Sequence, residues 1–129
     1  MEDTRCIEEL LAACPGFRPH WDEHHAWWGG TAGLMLDFAV FAEYAVQAIR
    51  RGDPAELAAI AESSERLLAS QSQAVRDAAV MGFLDGLMCR CRADAGQVPF
   101  ERLARSLGPA ALAACRRLDE KLGTSTPGL

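Results

Sequence analysis

The sequence has no apolar run long enough to cross a bilayer. Its most apolar stretch, Leu34 to Ile49, is broken by Asp37 and Glu43 and falls short of the roughly 20 residues that a span requires. Met1-Glu2-Asp3-Thr4-Arg5 offers no basic start followed by an apolar segment, so no signal peptide and a cytoplasmic location are expected. The five cysteines (Cys6, Cys14, Cys89, Cys91, Cys115) are odd in number and contain no C-x-x-C pair, which predicts free thiols rather than disulfides. No alternation of apolar and polar residues is long enough for a strand. Lysine is nearly missing: Lys121 stands against twelve arginines, a bias to which no mechanism attaches.

What remains is an ordinary globular composition. The chain has 129 residues, 50% of them hydrophobic, 24% charged and 7% aromatic. That length fits one domain whose core needs no metal or disulfide staple. The charge is uneven. Residues 1–49 hold eight acids (Glu2, Asp3, Glu8, Glu9, Asp22, Glu23, Asp37, Glu43) against Arg5 and Arg18, a sum of −6, whereas residues 50–129 hold ten acids and eleven bases, a sum of +1. An acidic half argues against a phosphate-backbone binder, which needs a basic stripe, and suits a basic partner.

Apolar periodicity is helical almost throughout. Ile7, Leu10, Leu11 and Cys14 recur at i, i+3, i+4 and i+7 behind an Asp3 or Thr4 cap, until Pro15-Gly16 stops the run. Pro19 opens a short second helix that Gly29-Gly30 ends near Trp28. Thr31 is the expected cap of a third, from about Ala32 to Arg51, apolar on most of its circumference and so expected to be the central, most buried helix. Gly52-Asp53-Pro54 combines a stop, a cap and a first-turn proline, which predicts a helical hairpin. A fourth helix then runs to about Ser70, and a fifth from about Ser72 to Arg92. In the fifth, Ala78, Gly82 and Gly86 fall four apart and predict a packing seam, since interior glycine costs roughly 1 kcal/mol unless it permits close approach. Pro99 and Pro109 open two further helices, and Thr124 to Leu129 reads as a frayed tail. The fold class is therefore all-α: a single domain over 1–123, an antiparallel helical bundle or stacked helical hairpins of six to seven helices.

Few constellations carry chemistry. His20, Glu23 and His24 match the H-x-x-E-H spacing of inverted zinc peptidases, but those are large α/β proteins, and a zinc hydrolase needs a third ligand and a cleft. Cys89 and Cys91 are two apart and point to different sides of a helix. Gly29-Gly30-Thr31-Ala32-Gly33 lacks the lysine and preceding strand of a phosphate loop, and no glutamate is followed three residues later by histidine as in a di-iron bundle. Acids set among apolar residues, Asp37, Glu43, Glu65 and Asp85, should be exposed, hydrogen-bonded or paired with an arginine such as Arg66 or Arg76. No catalytic residues, metal or cofactor are expected. Trp21, Trp27 and Trp28 cluster in the acidic half; at least one should be core, and Trp27 and Trp28, about 100° apart on a helix, both face inward only in a deeply sandwiched segment.

From Phe38 onward the order of features is an apolar helix, Arg51-Gly52-Asp53-Pro54-Ala55-Glu56-Leu57, Glu65-Arg66-Leu67-Leu68, Gln73-Ala74-Val75-Arg76, Gly82-Phe83-Leu84-Asp85-Gly86-Leu87 and Leu107-Gly108-Pro109. This order resembles a family of small all-α bacterial proteins of undefined function, met as single cytoplasmic domains and including immunity proteins of toxin systems. The resemblance rests on helix caps and packing residues, so it implies a fold and carries no catalytic residues over.

The expectation that follows is a non-enzymatic protein-binding domain, an immunity protein or similar inhibitor that occludes a cognate toxin or other basic partner. Trp21, Trp27 and Trp28 would be its anchors, and Asp22, Glu23, Asp37 and Glu43 would steer the encounter. No nucleic acid or membrane is expected as partner. Two alternatives stand beside it: a metal protein or enzyme centred on His20, Glu23 and His24, and a self-associating scaffold with the Ala78, Gly82, Gly86 seam in its interface.

Overall fold

A computed structural model describes the chain at residues 2–30 and 32–129, with side chains from Arg5 onward. α1 begins at Glu2, ahead of Asp3 and Thr4, which corrects the cap expected from either, while the cap expected from Thr31 lies outside the described residues. The helices are α1 (Glu2–Ala13), α2 (Arg18–Trp28), α3 (Leu34–Arg51), α4 (Pro54–Leu68), α5 (Gln73–Ala78), α6 (Asp85–Ala93), α7 (Glu101–Ala104) and α8 (Pro109–Leu122). A 3₁₀ turn, Pro15–Phe17, leads into α2, and a π-helical stretch, Ala79–Leu84, joins α5 to α6 without a break. Counting Gln73–Ala93 as one run gives seven helices, and no strand occurs among the described residues. The fold is all-α, as the periodicity predicts. None of these helices is long and apolar enough to cross a membrane.

Local signals set most boundaries. Gly52 ends α3 at φ 70°, the Asp53 carboxylate accepts from Ala55 N–H at 3.2 Å, and Pro54 opens α4. Ser72 caps α5 by accepting from Val75 N–H at 3.2 Å. Other ends are closed from far along the chain. Arg102 donates to the Ile49 carbonyl at the end of α3 at 2.8 Å, and Glu65 accepts from Ala110 and Ala111 N–H at 2.7 and 3.3 Å, capping α8. Gly108 makes that approach possible, since a Cβ there would stand 2.6 Å from the Glu65 carboxyl carbon. Satisfying orphan helix-end groups this way removes a cost that burial would otherwise impose.

α3 is the central helix, packed by α2, α4, α5, the π stretch and α6. Phe38, Phe41, Ala45, Val46, Ala48 and Ile49 are wholly buried on it. Its first turn departs from expectation: Met35 and Leu36 are 48% and 46% exposed. Here the π stretch crosses. Gly82 lies against the Met35 carbonyl, where a Cβ would come within 2.7 Å, and a Gly86 Cβ would meet Ala42 at 3.8 Å. The small-residue seam therefore packs against α3 of the same chain, which corrects its placement in an interface between copies.

The C-terminal segment is a second correction. In place of a tail without contacts, Thr126 is 4% exposed, and the Asp119 carboxylate accepts from Thr124 Oγ1 at 2.7 Å, Thr126 N–H at 2.9 Å and Thr126 Oγ1 at 2.9 Å. Arg92 donates to Thr126 Oγ1 at 3.0 Å. Gly128 rests on the Glu101 backbone, with no room for a Cβ.

Candidate functional site

α2 sorts its residues by face. Trp21 is buried, and His24, its side chain 10% exposed, points toward α3. Trp27 and Trp28 are 83% and 52% exposed. The segment is thus not sandwiched, and the two indoles form a corner of large apolar side chains in water at the end of α2, beside the turn into α3. Gly29, at φ 68°, ends α2 by donating its N–H to the His25 carbonyl. Nothing lies within 4 Å of a Cβ built at Gly29, Gly30 or Gly33, so this turn is open on its outer side.

A ladder of rings supports the corner from below. Phe83 meets Phe41 at 4.8 Å between centroids, Phe41 meets Phe17 at 5.0 Å, and Phe17 meets Trp21 at 6.1 Å. Trp21 meets His24 at 5.7 Å, and His24 meets Trp28 at 6.4 Å. The exposed indole thus stands at the end of a series that begins in the core. A polar tie runs beside it. His24 Nε2 donates to Asp37 Oδ1 at 2.9 Å, and the same oxygen accepts from Ala32 N–H at 3.4 Å. Asp37 is 3% exposed, so this bond joins α2, the turn and α3 inside the protein.

Of the residues expected to meet a partner, Trp21 and Asp37 are buried in the free chain. Asp22 and Glu23 are exposed. Asp22 pairs with Arg18 at 3.6 Å, with both side chains about 60% exposed, an interaction worth little in water. Glu43 is exposed and paired with Arg90. A groove of about 610 Å³ between α2 and α3 is lined by His20, Glu23, His24, Trp27, Val40 and Glu43. The H-x-x-E-H side chains therefore share a wall, but His24 is committed to Asp37 and the His20 ring lies on Tyr44 at 5.7 Å. Among the described residues, no group of three or more His, Cys, Asp or Glu is placed to hold a metal ion.

One polar cluster went unread in the sequence. Tyr44 donates to Glu56 Oε2 at 2.8 Å, and Arg51 grips both oxygens of Glu56 at 3.1 and 2.7 Å. A Cβ on Gly16 would meet Glu56 and Tyr44 at 3.0 Å, so the 3₁₀ turn is pressed onto the cluster. The Arg51 hydrogen bonds hold the Glu56 carboxyl below its ordinary range against the opposing effect of burial. Burial, with the Glu56 bond and charge, pushes the Tyr44 phenol above its ordinary range. Both move away from neutrality, opposite to what acid–base catalysis at neutral pH requires. The spacing of Arg51 and Glu56 across the helical turn was the available signal; Tyr44 carried none. The thiols are similarly quiet: burial pushes Cys91 and Cys115 up to about 12, and Cys14 upward.

The arrangement is that of an all-α domain with an aromatic, acid-flanked corner at the end of α2. The chain belongs to the family described as Domain of unknown function (DUF7674), which it matches over residues 7–121. No curated protein and no solved structure matches it.

Proposed function

We propose that the chain is a protein-binding domain whose α2–α3 corner takes a basic protein partner. The observation that carries this reading is the exposure of Trp27 and Trp28, 83% and 52%, side by side on one helix end. Indoles are costly to leave in water and dominate the buried centres of interfaces. Asp22 and Glu43 stand beside Arg18 and Arg90 of the same chain, which leaves Glu23 as the acid here with the charge to steer a cationic surface. The ring ladder and the His24–Asp37 bond support the reading by holding the corner in one shape, which lowers the entropy lost on association.

The narrower form of the proposal is an immunity protein that blocks a toxin by covering its basic active surface. The −6 charge sum of residues 1–49 is what favours it. The test is retention of a partner from the native host on tagged wild type and on Trp27→Ala/Trp28→Ala. A basic protein held at low salt, lost from the variant and inhibited in its own activity by the wild type is the expected result. Equal retention by both baits would remove the corner from the function, and retention without inhibition would leave the binding domain and remove the toxin.

A further inference from the structure

The π stretch Ala79–Leu84 is a costly conformation that proteins keep mainly where it serves a site. Its inner side presses Gly82 onto α3, and its outer side turns Met81 into solvent, 51% exposed. α8 lies opposite, with Leu122 53% exposed. Between the two runs a groove of about 260 Å³, walled by Val80, Met81, Leu118 and Leu122 and edged by Arg117 and Lys121. Those two bases are four residues apart, so they stand on one face of α8. Neither enters an ion pair or hydrogen bond among the described residues, although the chain as a whole is acidic.

We propose that this groove binds an acidic amphipathic helix of a protein partner. An extended peptide would need a sheet edge, and no strand occurs among the described residues. A polyproline segment would need an aromatic-lined groove, and this lining holds no aromatic side chain. A third helix laid between two helices satisfies its own backbone and offers apolar side chains at i, i+3, i+4 and i+7. Methionine at the centre of the wall adapts to such side chains. Arg117 and Lys121 fix the charge of the ligand's flank, and a net charge of −5 opposes an anionic bilayer. This site takes an acidic ligand and none of the corner tryptophans line it, so it stands apart from the basic-partner reading.

The test uses the full chain and a fluorescein-labelled helical peptide with leucines at i, i+3, i+4 and i+7 and glutamates on its flanks. Fluorescence anisotropy is read beside a scrambled peptide of the same composition. Wild type is expected to bind the helical peptide at least about tenfold more tightly than the scrambled one, with affinity falling as salt rises. Arg117→Glu/Lys121→Glu, both exposed and checked for unchanged helicity, is expected to weaken binding about tenfold or more, and Met81→Asp to weaken it as well. Trp27→Ala/Trp28→Ala is expected to bind as wild type does, which separates this site from the corner. Equal binding of the scrambled peptide, or no effect of the α8 charge reversal, overturns the proposal. So does concentration-dependent self-association lost in Met81→Asp, which would make a second copy the occupant, or binding to vesicles containing phosphatidylserine through the same residues.

Discussion

The α2–α3 corner leaves tryptophan in water, while the C-terminal segment takes threonine out of it. Trp27 is 83% exposed and Thr126 is 4% exposed, the reverse of their hydropathies. The difference lies in what each segment finds to bond. The tail meets Asp119, which accepts three hydrogen bonds from Thr124 and Thr126, so its polar groups enter the protein satisfied. Among the described residues the corner finds Asp37 as its internal polar partner, and His24 and Ala32 N–H use it. α2 has one apolar stripe to offer α3, and Trp21 occupies it; Trp27 edges the open groove and Trp28 is half covered against His24. Burial here follows available partners and available surface, and hydropathy alone predicts neither segment.

The strongest way to break the contrast is to treat the tryptophans as equals. Trp21→Ala removes a rung between Phe17 and His24 and is expected to cost about 4 kcal/mol by urea denaturation, the usual range for a large aromatic core truncation. A cost near zero would show that α2 is not seated on the core at all. Asp37→Ala comes next. It leaves the His24 ring without its bond in a site where both side chains are 10% exposed or less, and about 2 kcal/mol of stability should be lost. In a double-mutant cycle, His24→Ala should cost less in the Asp37→Ala background than in wild type. Additive losses would mean that the bond does not tie α2 to α3.

How much of this was legible from sequence depends on the range of the forces. The α3–α4 hairpin is local: Gly52, Asp53 and Pro54 each act within a few residues, and the structure places all three as their chemistry predicts. The small-residue seam was legible as a seam, because an interior glycine demands a reason; its partner, the Met35 carbonyl, was not, because nothing local names it. The π stretch shares that cause. Glu65 and Arg102 close helix ends more than forty residues away, so Glu65, expected to be exposed, hydrogen-bonded or paired, is hydrogen-bonded, to backbone N–H groups that nothing local names. At the candidate site, the clustered tryptophans and flanking acids could be read, but which indole was core could not, since that depends on where α3 stops covering α2. Met35 and Leu36 were hidden too, being apolar by letter and exposed by position.

Acid sharpens the tail side of the comparison. Burial alone would raise the Asp119 carboxyl, but hydrogen bonds from Thr124 and Thr126 and the Arg92 charge together hold it below the ordinary carboxylate range. A carboxyl depressed on folding stabilises above its unfolded pKa, about 3.9, and loses that contribution as pH falls through its folded value. The Thr126 amide should therefore stay protected from exchange between pH 7 and about pH 5 and lose protection below about pH 4. Glu56 is depressed too and weakens the fold in the same window, so the probe must be local. In Asp119→Asn, Thr126 should exchange faster at neutral pH and show little further loss on acidification, the missing bonds being worth about 1 kcal/mol. An unchanged profile in that variant would assign the tail to packing instead.

The smallest expected effect is the one that matters most for function. Trp27→Ala removes the larger exposure of the two corner indoles and should change stability by less than about 0.5 kcal/mol, because a side chain 83% exposed has little burial to lose. Trp28, half covered and touching His24, should cost somewhat more. Acrylamide should accordingly quench much more of the wild-type emission than it does in Trp27→Ala/Trp28→Ala, where only Trp21 remains. A bulky aromatic that stabilises nothing in the free chain fits the proposed contact surface, and the same substitution read against a bound partner should move affinity while leaving the fold in place. A loss of several kcal/mol in the free protein would place Trp27 inside the fold and erase the asymmetry between corner and tail.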